Sequence, residues 1–500
     1  MAETVAPPVA GPRATDRAWS PGAEAFAVAA LTAVALALRV AQIRQSMFGD
    51  ELFAYDEVAG RSFGGMLDAV LHGPEVTPPA YFVLAWISAQ LGDPTVWMRL
   101  PSLLAGVALV PLTYALGTLT AGRRAAVLAA ALVALWPHAI FYSVEARPYA
   151  LLACAVAAST VCLLRALETR RTGWWVAYGA LSLLAVGTHL TAIFVLGAQA
   201  IWALVAHRDA IRPLLIANAV AGLLFLPWLP RLRRDDVGWL LNLYGGFDPS
   251  PSEFADEVAH LLTGYPFAAL GDIPTVPAAA AFLVAVGAAV AAAAWALWRR
   301  PGRMAALDAL IVLLPLAVVA GLFANSALSD RDLVSTRNMI SATPYVAVLV
   351  GRLVMRLRRP VAPALAAVLI CAVALGAILA LGDAGQRPRY RDAAAYIARE
   401  ARPGDVVLER LLFPAFGEFG RPLTRHLAIY LPAGLRHLSS DADAQAERAA
   451  TASGGRILLV QPSPFSTVGV PRALDGGAYR LTGRKVFRGI HPVAVATYER

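Results

Sequence analysis

The sequence predicts an all-α polytopic membrane protein followed by a small C-terminal α/β domain. Of its 500 residues, 58% are hydrophobic and 15% are charged, and the mean hydropathy is +0.59. A soluble domain carries about 25% charged residues, so this composition indicates a chain that lies mainly in lipid. Apolar stretches of about 17 to 22 residues recur through residues 1–382, and each is long enough to cross ~30 Å of hydrocarbon.

The membrane domain is predicted over residues 25–382, with about eleven transmembrane helices. The positive-inside rule assigns short arginine-rich loops to the cytoplasm, and one self-consistent path places all of them there. The predicted spans are 25–43, 100–119, 125–141, 148–165, 174–188, 190–206, 212–229, 276–298, 307–325, 339–356 and 361–382. Residues 1–24 begin with a Pro/Ala-rich stretch and are predicted to be a disordered segment, which Arg13 and Arg17 place in the cytoplasm. The apolar run that follows is too long for a cleavable signal peptide.

One apolar segment, residues 79–91, is too short to cross the membrane and is predicted to be an interfacial helix. If it crossed, Arg123 and every later loop would change sides, against the distribution of arginines. As an interfacial helix, it leaves Asp50 and Glu145 on the same, extracytoplasmic side. Residues 44–99 then form the first extracytoplasmic loop.

Residues 384–500, here called the tail, follow the last predicted span. Their sequence pattern predicts a small extracytoplasmic α/β domain. Residues 391–400 have the pattern of a short amphipathic helix. Residues 406–408 and 456–460 have the pattern of short buried strands.

Composition and motifs exclude several function classes. The net charge is +9, but most basic residues lie in short loops between apolar runs, where topology explains them better than nucleic-acid binding does. The three cysteines all lie in apolar runs and are expected to be packing residues rather than metal ligands or a disulfide framework. No Walker loop, GxGxxG, HExxH or CxxC motif is present, so no nucleotide cofactor is expected.

Asp50 and Glu51 form an acidic pair just after the first predicted span. Ionisable residues at the membrane surface are costly, so they are often functional, although an ion pair with Arg44 is an equally simple alternative. Two adjacent residues cannot share one helical face, and the two carboxylates are therefore expected to have different roles. A carboxylate in this position can act as a general base toward an acceptor hydroxyl or amine.

Four further residues are candidates for a site on the same side. Glu75 precedes a Pro-Pro pair and could hold a metal or a substrate hydroxyl, or only complement a helix dipole. Glu145 and Arg147 flank a turn between two spans and could pair with Asp50 or with each other, while the guanidinium also suits a lipid phosphate. His189 lies at the outer end of a helical hairpin and is either a hydrogen-bonded packing residue or a ligand.

Arg337 directly precedes an apolar span on the predicted outer side, against the positive-inside trend. This position makes it the better candidate for a phosphate contact, because the guanidinium fork matches phosphate oxygens.

The order of these motifs resembles that of family 39-like membrane glycosyltransferases of the GT-C fold, related to protein O-mannosyltransferases and aminoarabinose transferases. The residues that carry the resemblance are Asp50-Glu51, Glu75 with Pro78-Pro79, Arg99 to Ser102, Tyr142 to Ala150, His189 and Arg337. The resemblance is strong over residues 25–200, weaker to 382 and thin in the tail. The aminoarabinose branch has Glu-Lys before its Pro-Pro pair, where this chain has Val76-Thr77, so the identity of the donor does not carry over.

The resemblance implies a multi-pass protein of a bacterial-type plasma membrane, with an extracytoplasmic site that transfers a sugar with inversion from a polyprenyl-phosphate donor. The acceptor would be a glycan, lipid or protein of the cell envelope. It implies Asp50 as the catalytic base. The implied substrate-binding residues are Glu51, Glu75, Glu145, Arg147, His189 and Arg337. A divalent metal ion stays an open alternative, with Glu75, Glu145 and His189 as candidate ligands.

Two other function classes are alternatives to a transferase. A transporter or flippase of lipid-linked sugars would favour repeated halves and helices broken at mid-membrane, whereas here the charged residues cluster at one face and no repeat is visible. A non-catalytic scaffold of the cell envelope would tolerate loss of Asp50 and Arg337. The sugar, the acceptor, the metal requirement and the oligomeric state are left open by the sequence.

Overall fold

The structure is a computed structural model that describes most of the chain. The described residues are 21–73, 77–232, 303–328, 333–358, 360–410, 426–439, 443–462 and 478–500. The predicted span 276–298, most of the predicted loop 230–275, and Glu75 lie outside these ranges, as do residues 1–20 of the predicted N-terminal segment.

The membrane domain is built from helices throughout its described residues. The helices are α1 (Pro21–Val40), α2 (Glu51–Val58), α3 (Phe63–His72), α4 (Ala80–Ala89), α5 (Pro94–Trp97), α6 (Leu100–Thr120), α7 (Arg123–Leu135), α8 (Pro137–Ser143), α9 (Tyr149–Thr169), α10 (Thr172–Thr188), α11 (Ala192–Ala206), α12 (Ile211–Phe225), α13 (Leu229–Leu232), α14 (Arg303–Leu328), α15 (Thr343–Met355) and α16 (Val361–Leu381). Every predicted span inside the described ranges coincides with a helix, which confirms the predicted all-α polytopic architecture.

Fewer of these helices have full spanning length than the ten predicted spans that lie inside the described ranges. Within the described ranges, 6 are long and apolar enough to cross a membrane, and the bent pair α7–α8 raises the number to 7. The regions of α4, α11 and α15 are apolar but shorter, at 10–17 residues. The sequence pattern therefore located the apolar helices, while the structure shows that several end before a full bilayer thickness.

The α7–α8 pair is a single apolar segment broken by a bend of 57°. Pro137 follows the break, and a residue before proline is driven out of helical conformation, as Trp136 is with a ψ of 119°. The break leaves carbonyl groups of α7 without helical donors. Arg39, buried in α1, donates a hydrogen bond to one of them, the Ala134 oxygen, at 3.2 Å. The bend brings the turn 144–148 to the first loop.

Helix α9 lies at the centre of the bundle, where it packs against α6 and α10, and α7 packs between α6 and α15. Glycines permit the closest helix contacts. A Cβ on Gly117 of α6 would lie 2.7 Å from the Ala126 Cα, and a Cβ on Gly351 of α15 would lie 2.4 Å from the Ala125 oxygen. Small residues at helix interfaces are typical of membrane bundles, because they let backbones approach.

The first loop contains the four short helices α2 to α5. Helix α4 has 10 residues, too few to cross a bilayer, in agreement with the predicted interfacial helix. Its Tyr81 hydroxyl donates a hydrogen bond to the Met98 oxygen at 2.8 Å, just before α6. The Ser62 side chain caps α3 by accepting from the Gly65 N–H at 3.1 Å. The Tyr81 bond ties α4 to the residues just before α6, and the Ser62 cap fixes the start of α3.

The described tail folds into a small α/β domain. Its elements are α17 (Tyr390–Glu400), β1 (Val406–Glu409), β2 (Arg436–Ser439), α18 (Asp443–Ser453), β3 (Ile457–Pro462), β4 (Arg480–Phe487) and β5 (Val493–Glu499). The strand order is β2-β1-β3-β5-β4, with β1 parallel to β2 and β3, and with β5 antiparallel to β3 and β4. Strand side chains alternate between two faces, so Val406 packs toward α18 and Val407 toward α17.

The predicted helix and the two predicted strands of the tail correspond to α17, β1 and β3. The strands β2, β4 and β5 were not identified from the sequence. Most residues of β4 are at least partly exposed, so that strand lacks the apolar signal that marks a buried one.

Candidate functional site

The site is centred on residues 45–50, the last part of the segment that joins α1 to α2. Gly49 has a φ of 59°, a left-handed conformation that glycine adopts without strain, and it turns the chain into α2. Asp50 lies at the N-terminal cap of α2, and Glu51 is its first helical residue. Successive helical residues point about 100° apart, so the two carboxylates enter different surroundings.

Glu51 is completely buried and lies at the centre of an internal polar network. Its two carboxylate oxygens accept from Nε and Nη2 of Arg99, each at 2.7 Å. The backbone N–H of Ala146 donates at 2.7 Å and that of Phe48 at 3.2 Å. Arg387 lies 3.6 Å away. Burial would raise the pKa of Glu51, but the two guanidinium groups outweigh it and hold the pKa below its ordinary value.

Arg99 also closes the loop around this carboxylate. Besides Glu51, it donates to the carbonyl oxygens of Ile43 at 2.8 Å and Ser46 at 3.0 Å. A planar guanidinium offers five N–H donors in a fixed geometry, which suits a site that must bind a carboxylate and several carbonyls together. Glu51 and Arg99 thus join the first loop, the start of α6 and the turn 144–148.

Asp50 is about one third exposed and faces two other arginines. Its carboxylate pairs with Arg337, and Arg147 donates to its backbone oxygen at 3.4 Å. Burial raises the pKa of Asp50, but Arg337, Arg147 and a hydrogen bond with Tyr149 outweigh this effect and lower it below the ordinary value. At neutral pH, Asp50 is therefore an ionised acceptor beside two cations.

Glu145 lies in the turn next to this pair and is 8% exposed. Its Oε2 has no hydrogen-bond partner within the described part of the chain. Burial raises the pKa of Glu145 to about 7, with Glu51 and Asp50 adding to the shift while Arg387 and Arg147 oppose it. This carboxyl changes its charge near neutral pH.

His189 follows α10, and its ring lies 5.7 Å from that of Tyr149. Its Nδ1 is 2.9 Å from the Thr191 Oγ1. Burial, together with Arg147 and Arg337, lowers the pKa of His189 to about 3, so the imidazole is neutral at physiological pH. A neutral ring can donate to or accept from a sugar hydroxyl.

The structure thus brings six of the predicted site residues together and leaves one outside the described ranges. The six are Asp50, Glu51, Glu145, Arg147, His189 and Arg337. Glu75 is the seventh. Their roles stay predictions, and the burial of Glu51 favours an internal role over a sugar contact. No group of three His, Cys, Asp or Glu side chains that could hold a metal is found among the described residues, and the metal requirement stays open.

Two members of the site were missed by the sequence reasoning. Tyr149 is hydrogen-bonded to Asp50, and Arg387 lies between Glu51 and Glu145. Arg387 carried the same signal as Arg337, an arginine beside an apolar span on the predicted outer side. That signal could have identified Arg387, whereas Tyr149 was noted only as part of the motif Tyr142 to Ala150 and carries no charge that would have marked it as a site residue.

Comparison with known sequences gives a partial match. A family model described as dolichyl-phosphate-mannose-protein mannosyltransferase matches residues 76–230. These residues run from the end of the first loop through α12 and include Arg99, the turn 144–148 and His189. No curated protein matches the chain.

Comparison with solved structures gives matches along nearly the whole chain. ArnT from Cupriavidus metallidurans bound to undecaprenyl phosphate has a TM-score of 0.56 at 17% identity, covering 96% of this chain and 98% of that one. Its apo state has a TM-score of 0.55 at 17% identity, with coverages of 95% and 98%. The Archaeoglobus fulgidus oligosaccharyltransferase tethered to an acceptor peptide has a TM-score of 0.51 at 12% identity, with coverages of 89% and 69%. These matches confirm the predicted GT-C fold.

Proposed function

With the GT-C fold of membrane glycosyltransferases as the premise, we propose that this protein is an inverting glycosyltransferase. It moves a sugar from a polyprenyl-phosphate donor to a cell-envelope acceptor at the outer face of the plasma membrane. The observation that carries the proposal is the Asp50 carboxylate, partly exposed at the N-terminal cap of α2 and paired with Arg337 beside Arg147. A proton acceptor and two phosphate-binding groups are the parts that this reaction needs.

The donor class is supported by the proteins that share this fold or family pattern. The structure of ArnT contains undecaprenyl phosphate, and the matching family model is described by a dolichyl-phosphate-linked sugar. A lipid phosphate is an anion at the membrane surface, and guanidinium groups bind such anions through paired N–H donors. Arg337 and Arg147 are the described arginines nearest to Asp50 in this role.

In the proposed reaction, Asp50 accepts the proton of the acceptor hydroxyl as its oxygen forms a bond with the anomeric carbon. The bond from that carbon to the phosphate oxygen breaks on the opposite face, and polyprenyl phosphate leaves with the electron pair. One displacement inverts the anomeric configuration. The arginines stabilise the negative charge that develops on the leaving phosphate, and this kind of electrostatic term is usually the largest in catalysis.

Donor binding is expected to weaken the ion pair between Asp50 and Arg337 and so to change the basicity of Asp50. A phosphate that engages Arg337 competes with Asp50 for the same N–H groups. Because Arg337 holds down the pKa of Asp50, sharing this arginine with phosphate raises the basicity of the carboxylate. The base would thus become stronger when donor is bound.

Glu51 has a different proposed role from Asp50. It is fully buried and bonded to Arg99 and Ala146, so we assign it to holding the loop rather than to contacting sugar. Glu145 and the neutral His189 are the described groups left to orient sugar hydroxyls.

The test is sugar transfer by purified protein, using a panel of radiolabelled polyprenyl-phosphate sugars and a cell-envelope acceptor extract. We expect wild type to use one donor and Asp50→Asn to lose about 10²- to 10⁴-fold in rate, the usual contribution of a general base. Asp68→Asn is the matched control, because Asp68 is an exposed carboxylate of α3 in the same loop.

Normal transfer by a folded Asp50→Asn variant would contradict the assignment of the base. A folded wild type that releases no polyprenyl phosphate but moves the lipid across liposomes would instead support the transporter alternative.

A further inference from the structure

The α/β domain contacts the loop 45–50 directly. Its side chains accept hydrogen bonds from two loop amides: the Met47 N–H donates to the Tyr430 hydroxyl at 2.7 Å, and the Gly49 N–H donates to Nε2 of His426 at 3.3 Å. The second of these amides immediately precedes Asp50. The conformation of the loop therefore depends on groups nearly 400 residues away in sequence.

Two further bonds run in the opposite direction, from the backbone of the tail to side chains of the loop. The Arg387 N–H donates to Oε1 of Gln45 at 3.1 Å, and the Arg391 N–H donates to Oγ of Ser46 at 2.9 Å. Each of the residues Gln45, Ser46, Met47 and Gly49 is thus bonded to the tail.

Phe48 adds an apolar contact at the tip of this loop. Its ring lies 5.5 Å from that of His426 and 5.6 Å from that of His491, measured between centroids. It packs against the apolar cluster between the sheet and α17. His426 is itself stacked on Tyr390, with centroids 5.0 Å apart. The loop side chain therefore packs on the core of the α/β domain.

Arg387 links these contacts to the rest of the site. It is 2% exposed and donates to the carbonyl oxygens of Val144 at 2.8 Å and Phe141 at 3.2 Å. Its guanidinium also stacks over the Phe141 ring at 4.4 Å and lies 3.6 Å from Glu51. One residue of the tail thus bridges the loop of Asp50 and the turn of Glu145.

We infer that the α/β domain is a positioning element for Asp50, acting through Tyr430, His426 and Arg387. This inference rests on the proposed function, because it assigns the domain a part in the same reaction. A loop lacks the repeating backbone bonds of a helix or a sheet, so its conformation is set by whatever groups bond its amides. Here those groups belong to the tail, and they determine where α2 begins and where Asp50 meets Arg337.

The alternative is a domain that only stabilises the protein and leaves the rate of transfer unaffected. The two roles differ in what a small change at the contact does. A purely stabilising contact changes the melting temperature alone, whereas a positioning contact changes the loop and the turnover number together.

The test compares Tyr430→Phe with Tyr479→Phe in the full-length protein in detergent. Each substitution removes one hydroxyl, but Tyr479 lies toward α18 and bonds only to Thr451 among the described contacts. Hydrogen–deuterium exchange of overlapping peptides that cover residues 44–52 reports the amides of this loop, including that of Met47. We expect exchange about five- to tenfold faster in Tyr430→Phe, the factor for one lost hydrogen bond, and no change in Tyr479→Phe.

The second measurement of this test is the kinetics of sugar transfer by the same two variants. We expect kcat to fall about tenfold in Tyr430→Phe with the KM for donor unchanged, because the phosphate-binding arginines are not altered. Unchanged exchange in residues 44–52, or faster exchange with unchanged kcat, would overturn the inference. The hydrogen–deuterium exchange measurement does not depend on enzymatic activity. The absence of transfer by wild type would therefore count against the proposed function and not against the contact between the loop and the α/β domain.

Discussion

Asp50 and Glu51 show how neighbouring residues acquire different chemistry from their surroundings. Glu51 is enclosed by Arg99 and backbone N–H groups. Asp50, in contrast, is partly exposed and pairs with Arg337, the arginine that is also proposed to bind the donor phosphate. Breaking a buried pair leaves an unpaired charge, which costs more than losing an exposed one. At the scale of single residues, the site therefore combines an internal carboxylate that holds the structure with a second one that is accessible.

Glu145 gives the clearest prediction about pH. Its pKa is about 7 in the folded protein, above the ordinary value of 4.5 expected for the unfolded chain, so folding favours the protonated form. Its contribution to stability is present below about pH 4.5 and is lost as pH rises through about 7. Glu145→Gln should match wild type near pH 4 and be more stable at pH 8, by on the order of 3 kcal/mol.

The measurement is thermal unfolding in detergent at both pH values. Asp68→Asn is the control, because Asp68 is exposed on α3. An identical pH dependence of wild type and Glu145→Gln would contradict the assigned pKa. Asp50 is not expected to titrate in this range, because its pKa is lowered.

At the scale of elements, the position of the site depends on a broken helix and on close helix packing. The bend before Pro137 lets the turn 144–148 reach the first loop, where the Ala146 N–H bonds to Glu51. Helix α7, which leads into this bend, packs between α6 and α15. Its packing against α15 requires Gly351, because a Cβ there would lie 2.4 Å from the Ala125 oxygen.

Gly351→Ala should therefore destabilise the bundle by roughly 1–3 kcal/mol, the usual cost of overpacking. This would occur although alanine favours a helix over glycine by about 1 kcal/mol. Gly197→Ala in α11 is the matched control, because a Cβ at Gly197 meets no atom within 4 Å. Thermal unfolding followed by tryptophan fluorescence measures both variants. Equal or higher stability of Gly351→Ala would show that α7 and α15 can separate at little cost.

At the scale of the whole molecule, the site lies where the first loop, the turn 144–148, the segment before α15 and the α/β domain meet. Arg337, Arg387 and Glu51 come from three of these regions and lie within one cluster of charges. The predicted topology places this cluster outside the cytoplasm, and that orientation is testable independently of activity.

Single cysteines introduced at Asp68 and Arg170, in a variant without the three native cysteines, should label differently in intact cells. Asp68 is exposed in the first loop and Arg170 is exposed between α9 and α10, on the predicted cytoplasmic side. A membrane-impermeant maleimide is expected to label Asp68→Cys in intact cells and Arg170→Cys only after lysis. The reverse pattern would invert the topology and contradict an extracytoplasmic site.

The sequence by itself determined the membrane character, the positions of the apolar helices and the order of the charged motifs along the chain. Length of an apolar run and placement of charges are local properties, so they can be read without a structure. They also indicated a tail with a helix and buried strands, which α17, β1 and β3 match.

Only the tertiary structure decided which of these residues meet. Asp50 and Arg337 are 287 positions apart, and the Tyr430 hydroxyl that bonds to Met47 is 383 positions away. Such contacts depend on how helices and the α/β domain pack, and packing leaves no local pattern in either partner. For the same reason, the sequence could name Glu51 as a candidate but could not reveal that Arg99 and Ala146 already occupy its carboxylate.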